Sequence, residues 1–160
     1  MAMDMFFKIE GIEGESEDDT HGGEIDVLAW SWGCSQSGST HIGGGSGSGK
    51  VNVQDISFTK WIDSASHNLL RHCCNGKHIA SATLVCRKAG GDDPLEYITI
   101  EFEDLIVTSV STGGSGGEDK LTENISLNFA RFHFKYKPQT EDGGEEAEKE
   151  VKFDIKANKQ

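Results

Sequence analysis

The chain has 160 residues, a length that suits one domain with a substantial core, and its 35% hydrophobic and 26% charged residues are typical of a soluble globular protein. The formal net charge is −12, so electrostatic repulsion argues against nucleic acid and anionic membranes as partners. Twenty glycines against two prolines favour β structure with long loops, and four irregularly spaced cysteines predict no disulfide scaffold but synthesis in a reducing cytoplasm.

The N-terminal segment predicts a strand and no export signal. MFFKIEGI, residues 5–12, has the apolar content of a first strand. No basic segment followed by an apolar stretch precedes it, and no apolar run is long enough to span a bilayer. If the protein leaves the cell, we therefore expect it to do so without the general signal-peptide route.

The next predicted strand, IDVLAWSWG at residues 25–33, alternates by side-chain size. Its bulky face, predicted to be core, consists of Leu28, Trp30 and Trp32. The opposite face carries only Ala29, Ser31 and Gly33. Such a small face suits a surface that another molecule passes or lies against, but it also suits close packing under a neighbouring element. The sequence leaves both interpretations open.

A glycine- and serine-rich stretch follows and contains the spacing of a phosphate-binding loop. Gly44, Gly49 and Lys50 match G-x-x-x-x-G-K, but Val51 stands where the motif needs Ser or Thr to hold magnesium. The segment that follows alternates like a strand, whereas a phosphate loop runs into a helix. We therefore expect no nucleotide site. An arm that extends onto another subunit explains the glycines better, and a loop without structure is the alternative.

Residues 50–62 predict a strand with a bend, because the apolar side changes between Gln54 and Ile56. Residues 63–76 predict the single helix, of roughly three turns. Its expected features are an N-cap at Asp63 or Ser64, an apolar stripe of Leu69, Leu70 and Cys73, and a left-handed stop at Asn75 and Gly76.

The helix region also concentrates potential metal ligands, namely His67, His72, Cys73, Cys74 and His78. Adjacent cysteines on a helix point about 100° apart, and histidines five positions apart do not share a stripe. The spacing therefore favours exposed histidines and a partly buried thiol over a metal site. GGSGG, residues 113–117, has the G-x-S-x-G spacing around Ser115, but no strand-turn-helix context surrounds it as a nucleophile elbow requires, so we predict no catalytic residues, no metal and no cofactor.

The remaining segments are predicted strands. They comprise residues 81–90 with Ala82, Leu84 and Cys86 on one face, residues 95–111 with Ile98, Ile100 and Phe102 inward and Glu101 and Glu103 outward, residues 124–138, and a short last strand within residues 151–155. A change of phase between Phe129 and Phe132 predicts a bulge near Ala130 and Arg131. Many strands and one helix predict a mainly β fold, a closed or nearly closed antiparallel barrel.

Several long motifs closely resemble the Hcp family, the tube protein of bacterial type VI secretion systems. They are EIDVLAWSWG, SQSGS, GGGSGSGKVNVQDISFTK, RKAGG and VSTGGSGGEDKLTENISLNFA. The resemblance runs from residue 4 to about residue 138. It divides the chain into an Hcp-like β-barrel domain, residues 1–138, and an acidic C-terminal segment with a possible last strand, residues 139–160.

The resemblance implies hexameric rings with a central channel, stacked into a tube that a contractile sheath ejects with a spike protein at its tip. The expected partners are other copies of the chain, the spike protein, the sheath proteins, and small effectors held and chaperoned in the ring lumen. It also implies a cytoplasmic protein that is secreted through the apparatus. Because six copies would carry about −72 charges, we expect ring stacking to depend on salt.

The resemblance also assigns residues. It places Ser31, with Ala29 on the same face, on a lumen-facing strand, and Ser115 in a loop at the ring interface or beside the lumen. The arm expected to pack on a neighbouring subunit contains His41, Ile42, Gly43, Gly44, Gly45, Gly47, Gly49 and Lys50. The alternative hypothesis is a ligand- or carbohydrate-binding β-barrel in which Trp30, Trp32 and Trp61 stack on the ligand.

Overall fold

The computed structural model describes residues 3–37, 50–88, 94–139 and 147–160. Within these residues the chain forms mainly strands and one helix. In chain order they are β1 (Met3–Ile9), β2 (Ile25–Ser31), β3 (Cys34–Ser35), β4 (Asn52–Val53), β5 (Ile56–Trp61), α1 (Ser66–Asn75), β6 (Ile79–Lys88), β7 (Leu95–Thr112), β8 (Thr122–Tyr136) and β9 (Lys149–Asp154). The predicted last strand is therefore present as β9.

The sheet closes on itself, which confirms the predicted antiparallel barrel. The strand order is β5-β2-β1-β6-β7-β8-β9, and an additional pairing of β5 with β8 closes a barrel of six strands. The closure is possible because β8 is long: its first half pairs with β5, and its second half pairs with β9. β3 and β4 form a separate two-stranded ladder.

The barrel interior is filled by aliphatic and aromatic side chains from every strand of the barrel. Phe7, Phe58 and Phe102 are almost fully buried, and Phe7 lies with its ring centroid 4.8 Å from that of Phe58. Leu69 of α1 is also fully buried, so the helix closes part of the core. Burial of each such side chain stabilises the fold by about 1.5–3 kcal/mol.

The prediction that Leu28 belongs to the core is wrong, because the alternation of β2 is interrupted. Ile25 and Val27 are buried, whereas Leu28 is 38% exposed. A register shift against β5 lies between Val27 and Ala29, so Leu28 is the extra residue of a bulge. The bulge restores the phase, and Trp30 and Trp32 pack against the core as predicted.

The predicted bulge near Ala130 and Arg131 is also wrong. Leu105 pairs with Phe129 and Glu103 pairs with Arg131, so the register of β7 and β8 is unbroken there. Both strands change phase together, and Asp104 accommodates this with φ of 53°. The actual register shift between these strands lies at Thr108, between Val107 and Ser109. A phase change in one strand therefore does not identify which residue is unpaired.

The helix ends as predicted but begins later and buries less. Gly76 adopts the left-handed conformation, with φ of 63°, and its N–H donates to the His72 carbonyl. The N-cap position is Ala65, which has no side-chain cap bond, while the Asp63 carboxylate accepts from the N–H of Ala65 at 2.9 Å. Leu70 is 49% exposed, so it does not belong to the buried stripe.

A buried charged cluster connects the start of the helix to the barrel. The Lys60 side chain has no exposed surface, and its ammonium group lies 2.5 Å from the Glu123 carboxylate and 2.8 Å from that of Asp63. The hydroxyl of Ser66 donates to the same Glu123 oxygen at 2.6 Å. These contacts join β5, β8 and α1, which explains how a lysine on the inner face of β5 is tolerated.

The β1–β2 loop is fixed against the outside of the barrel by charged groups. Arg87 of β6 donates two hydrogen bonds to Asp18, at 2.6 and 3.0 Å, and lies 5.0 Å from the centroid of the Phe6 ring. His21 stacks on the same ring at 4.5 Å. The Arg87 hydrogen bonds hold the pKa of Asp18 well below its ordinary value, although partial desolvation opposes them.

Candidate functional site

Four adjacent strands bring a set of small, uncharged side chains to one outward surface. In one row, Ala29 of β2 pairs with Thr59 of β5, which pairs with Asn124 of β8, which pairs with Ser111 of β7. In the next row the paired residues are Ser31, Ser57, Ser126 and Ser109. We call these eight residues the polar wall. They alternate along each strand with side chains that pack in or against the core, including Trp30, Phe58 and Ile125.

Hydrogen bonds between side chains knit the polar wall across the β5–β8 ladder. The hydroxyl oxygens of Ser57 and Ser126 lie 3.0 Å apart, and the Thr59 hydroxyl donates to the Asn124 side-chain oxygen at 2.6 Å. Such cross-strand pairs stabilise the ladder and satisfy part of the hydrogen-bonding capacity of the wall. The resulting surface is smooth and polar, with neither large apolar side chains nor charged ones among its eight members.

A third row, at one end of the polar wall, introduces a charge. The Asp55 carboxylate accepts hydrogen bonds from the Thr108 hydroxyl at 2.8 Å and from the Asn128 side-chain amide at 2.9 Å. Thr108 lies in β7, Asn128 lies in β8, and Asp55 directly precedes β5, so these three residues continue the same surface. At the opposite end, Trp61 pairs with Thr122, and the Lys120 ammonium lies 5.5 Å from the centroid of the Trp61 ring.

The strands on either side of the polar wall each have an edge without a strand partner in the described part of the chain. β2 pairs with β1 only at Ile25 and Asp26, so residues 28–31 have β5 on one side and no strand on the other. β7 pairs with β6 only as far as Leu105, so residues 106–112 have β8 on one side alone. As far as the described residues show, the wall is therefore a four-stranded sheet with two free edges.

The structure brings together two of the predicted lumen residues and places the third nearby. Ala29 and Ser31 line one shallow groove with Ser57 and Thr59. Ser115 lies in the β7–β8 loop and lines a neighbouring groove with Trp61 and Ser111, and Asn124 borders both grooves. Residues 41–49 of the predicted arm lie outside the described residues. Lys50, at its end, is exposed.

Six residues of the polar wall were missed by sequence reasoning, namely Ser57, Thr59, Ser109, Ser111, Asn124 and Ser126. Their small size and alternation with apolar residues carried the same signal as Ala29 and Ser31, but only strand pairing shows that the four strands are neighbours. The spacing of Ser57 and Ser126, 69 residues apart in the chain, illustrates why.

Other candidate chemistry gains no geometric support in the residues that the structure describes. No group of three or more His, Cys, Asp or Glu side chains is arranged to hold a metal ion there. The Trp32 indole N–H donates to the Gln54 carbonyl at 3.0 Å, and its ring packs 4.8 Å from that of Phe132. Trp32 is thus engaged in packing rather than presented as a platform. No helix in the described ranges is long and apolar enough to span a membrane.

Taken together, the closed barrel, its flanking helix and the outward polar wall define a β-barrel protein whose distinctive surface is a four-stranded sheet of small side chains. Comparison with known proteins identifies the family. A family model described as "Type VI secretion system effector, Hcp" matches residues 6–136. The chain therefore belongs to the Hcp family of type VI secretion system proteins.

Individual relatives agree. The chain is 60% identical over 146 residues to protein hcp1 of Pseudomonas aeruginosa, covering 91% of this chain and 90% of that one. It superposes on Hcp1 from Salmonella typhimurium with a TM-score of 0.81 at 45% identity, covering 99% of both chains. It also resembles a type VI secretion system effector from Yersinia pestis, with a TM-score of 0.76 at 40% identity and coverage of 94% and 99%.

Proposed function

We propose that this protein is the tube subunit of a type VI secretion system, and that its polar wall lines the lumen of a hexameric ring. The observation that carries the proposal is the four-stranded wall with two free edges. Because the four strands alternate in direction, β7 of one copy and β2 of the next would meet antiparallel. Their backbone groups would then continue one sheet from subunit to subunit.

The size of such a ring follows from strand spacing. Six copies of a four-stranded wall give about 24 strands, which at ~4.8 Å each make a circumference of roughly 115 Å. The channel would then be about 35–40 Å across between backbones. A compact domain of ~100 residues has a radius of gyration of about 13 Å, which corresponds to an outer diameter of about 34 Å, so only effectors smaller than about this size fit inside.

The chemistry of the wall suits a conduit that also holds cargo. Hydroxyl and amide groups offer many weak hydrogen bonds, while the lack of large apolar side chains avoids tight, irreversible adsorption. The ring faces meet head to tail, so stacking does not close and propagates as a tube. Spike, sheath and effector proteins are the further partners in this proposal, and the role is structural rather than enzymatic.

The central test is the mass of the assembly. Light scattering and native mass spectrometry at micromolar concentration should find six copies per particle, and electron micrographs should show annular particles. Only monomers under these conditions would refute the proposal.

The free-edge argument has its own test, in two matched variants. Leu28→Lys places a charge beside the free edge of β2, whereas Leu70→Lys makes the same change at a comparably exposed leucine of α1. We expect Leu28→Lys to shift the particles to monomers with an unchanged circular dichroism spectrum, and Leu70→Lys to leave the rings intact. If Leu28→Lys still forms rings, then the subunits do not associate through the free edge of β2, and this part of the proposal is wrong.

A further inference from the structure

Asp55 is the only ionisable side chain of the polar wall and its third row. The other members of these three rows are Ala29, Ser31, Ser57, Thr59, Thr108, Ser109, Ser111, Asn124, Ser126 and Asn128. The charged residues of the β7–β8 loop lie beyond Thr122, at the opposite end of β8 from Asn128. One carboxylate thus stands in an otherwise uncharged surface.

This carboxylate is held in place by two neutral hydrogen-bond donors. Each of its oxygens accepts one hydrogen bond, from Thr108 on β7 and from Asn128 on β8. In the described part of the chain no lysine, arginine or histidine pairs with it; the eleven ion pairs found there all involve other acids. A carboxylate accepts about four hydrogen bonds, so roughly two sites remain open toward solvent.

We propose that Asp55 is a specificity-determining residue that selects cargo presenting arginine or lysine side chains to the lumen. The proposal rests on the function above, because the sixfold ring turns one Asp55 per subunit into a belt of six carboxylates. An oriented carboxylate offers charge-assisted hydrogen bonds to a guanidinium or ammonium group, which are about twice as strong as neutral ones. The surrounding hydroxyl surface contributes contacts that do not distinguish charge, so discrimination between cargoes falls to this belt.

The experiment uses assembled rings and two fluorescein-labelled peptides of equal length, the cationic (Gly-Lys)4 and the neutral, polar (Gly-Gln)4. Affinities are measured by fluorescence anisotropy at 150 mM salt, where surface charges more than about 8 Å apart are largely screened. Asp55→Asn removes the charge while keeping the side-chain shape. Asp19→Asn, at an exposed position of the β1–β2 loop, makes the same change in net charge and is the matched control.

We expect Asp55→Asn to weaken binding of the lysine peptide at least threefold and to leave the glutamine peptide unchanged. Asp19→Asn should change either affinity by less than 1.5-fold. Equal effects of the two substitutions would assign the binding to general surface charge and overturn the proposal while leaving the tube function intact. If the chain formed no rings, both proposals would fall.

A second variant covers the possibility that Asp55→Asn disturbs assembly. Asp55→Glu keeps the charge but moves it by one methylene group. We therefore expect the ratio of the affinities for the lysine and glutamine peptides to stay within twofold of the ratio for the unmodified protein. The role of the charge would be refuted if intact Asp55→Glu rings lost this preference while Asp55→Asn rings bound both peptides like the unmodified protein.

Discussion

Replacing Lys60 with methionine should destabilise the fold severely, because it leaves acids buried without their cation. The Lys60 and Glu123 side chains are 0% and 3% exposed, and the Asp63 side chain is 9% exposed. Removing one partner of a buried ion pair costs about 3–5 kcal/mol. With a urea m-value of roughly 2 kcal/mol/M for a domain of this size, the midpoint of unfolding should fall by about 1.5–2.5 M.

The measurement is urea unfolding followed by tryptophan fluorescence, with all variants at one protein concentration because assembly adds stability by mass action. Lys135→Met is the matched control. Its ammonium lies 2.9 Å from Glu101, but the two side chains are 23% and 44% exposed, so the loss should stay below about 1 kcal/mol. Adding Glu123→Gln to Lys60→Met should recover much of the stability. A loss for Lys60→Met no larger than that for Lys135→Met would refute the reasoning.

Three further perturbations have defined outcomes. Burial alone would lower the pKa of His21, but hydrogen bonds to Glu96 and Glu24 raise it above its ordinary value. The stability that protonated His21 adds is therefore complete below the ordinary histidine pKa and is lost as pH rises through the raised value. We expect the difference in thermal unfolding temperature between unmodified protein and His21→Gln to shrink as the pH rises from 5 to 9. A difference that stays constant over this range would contradict the prediction. Ser31→Gln should leave rings intact and reduce recovery of a co-expressed effector, whereas Ser81→Gln on β6 should not; equal recovery would exclude a contact at Ser31. Ring stacking, measured by sedimentation, should increase between 20 and 500 mM salt because salt screens the repulsion between rings. If stacking does not change with salt, charge repulsion is not what limits it.

The elements of this fold could be predicted from the sequence because each strand carries its own alternation. Leu28 shows the limit of predicting a strand from its alternation. Ile25 and Val27 face the core at odd positions whereas Trp30 faces it at an even one, and only a bulge at Leu28 allows both. Asp104 shows a second limit. Its positive φ lets β7 and β8 change phase together, and a strand considered alone cannot reveal that its partner shifts with it.

The polar wall shows the same boundary at the level of function. Ala29 and Ser31 could be chosen because small residues alternate with tryptophans, but a site of this kind is a property of strand neighbours. The closure of β5 onto β8 is the step that converts four separate alternations into one surface, because it sets Ser57 beside Ser126 and Thr59 beside Asn124. In the described part of the chain, the same closure leaves β2 and the end of β7 as free edges, so the pairing that completes the barrel core also creates the surface and the edges that the proposed ring requires.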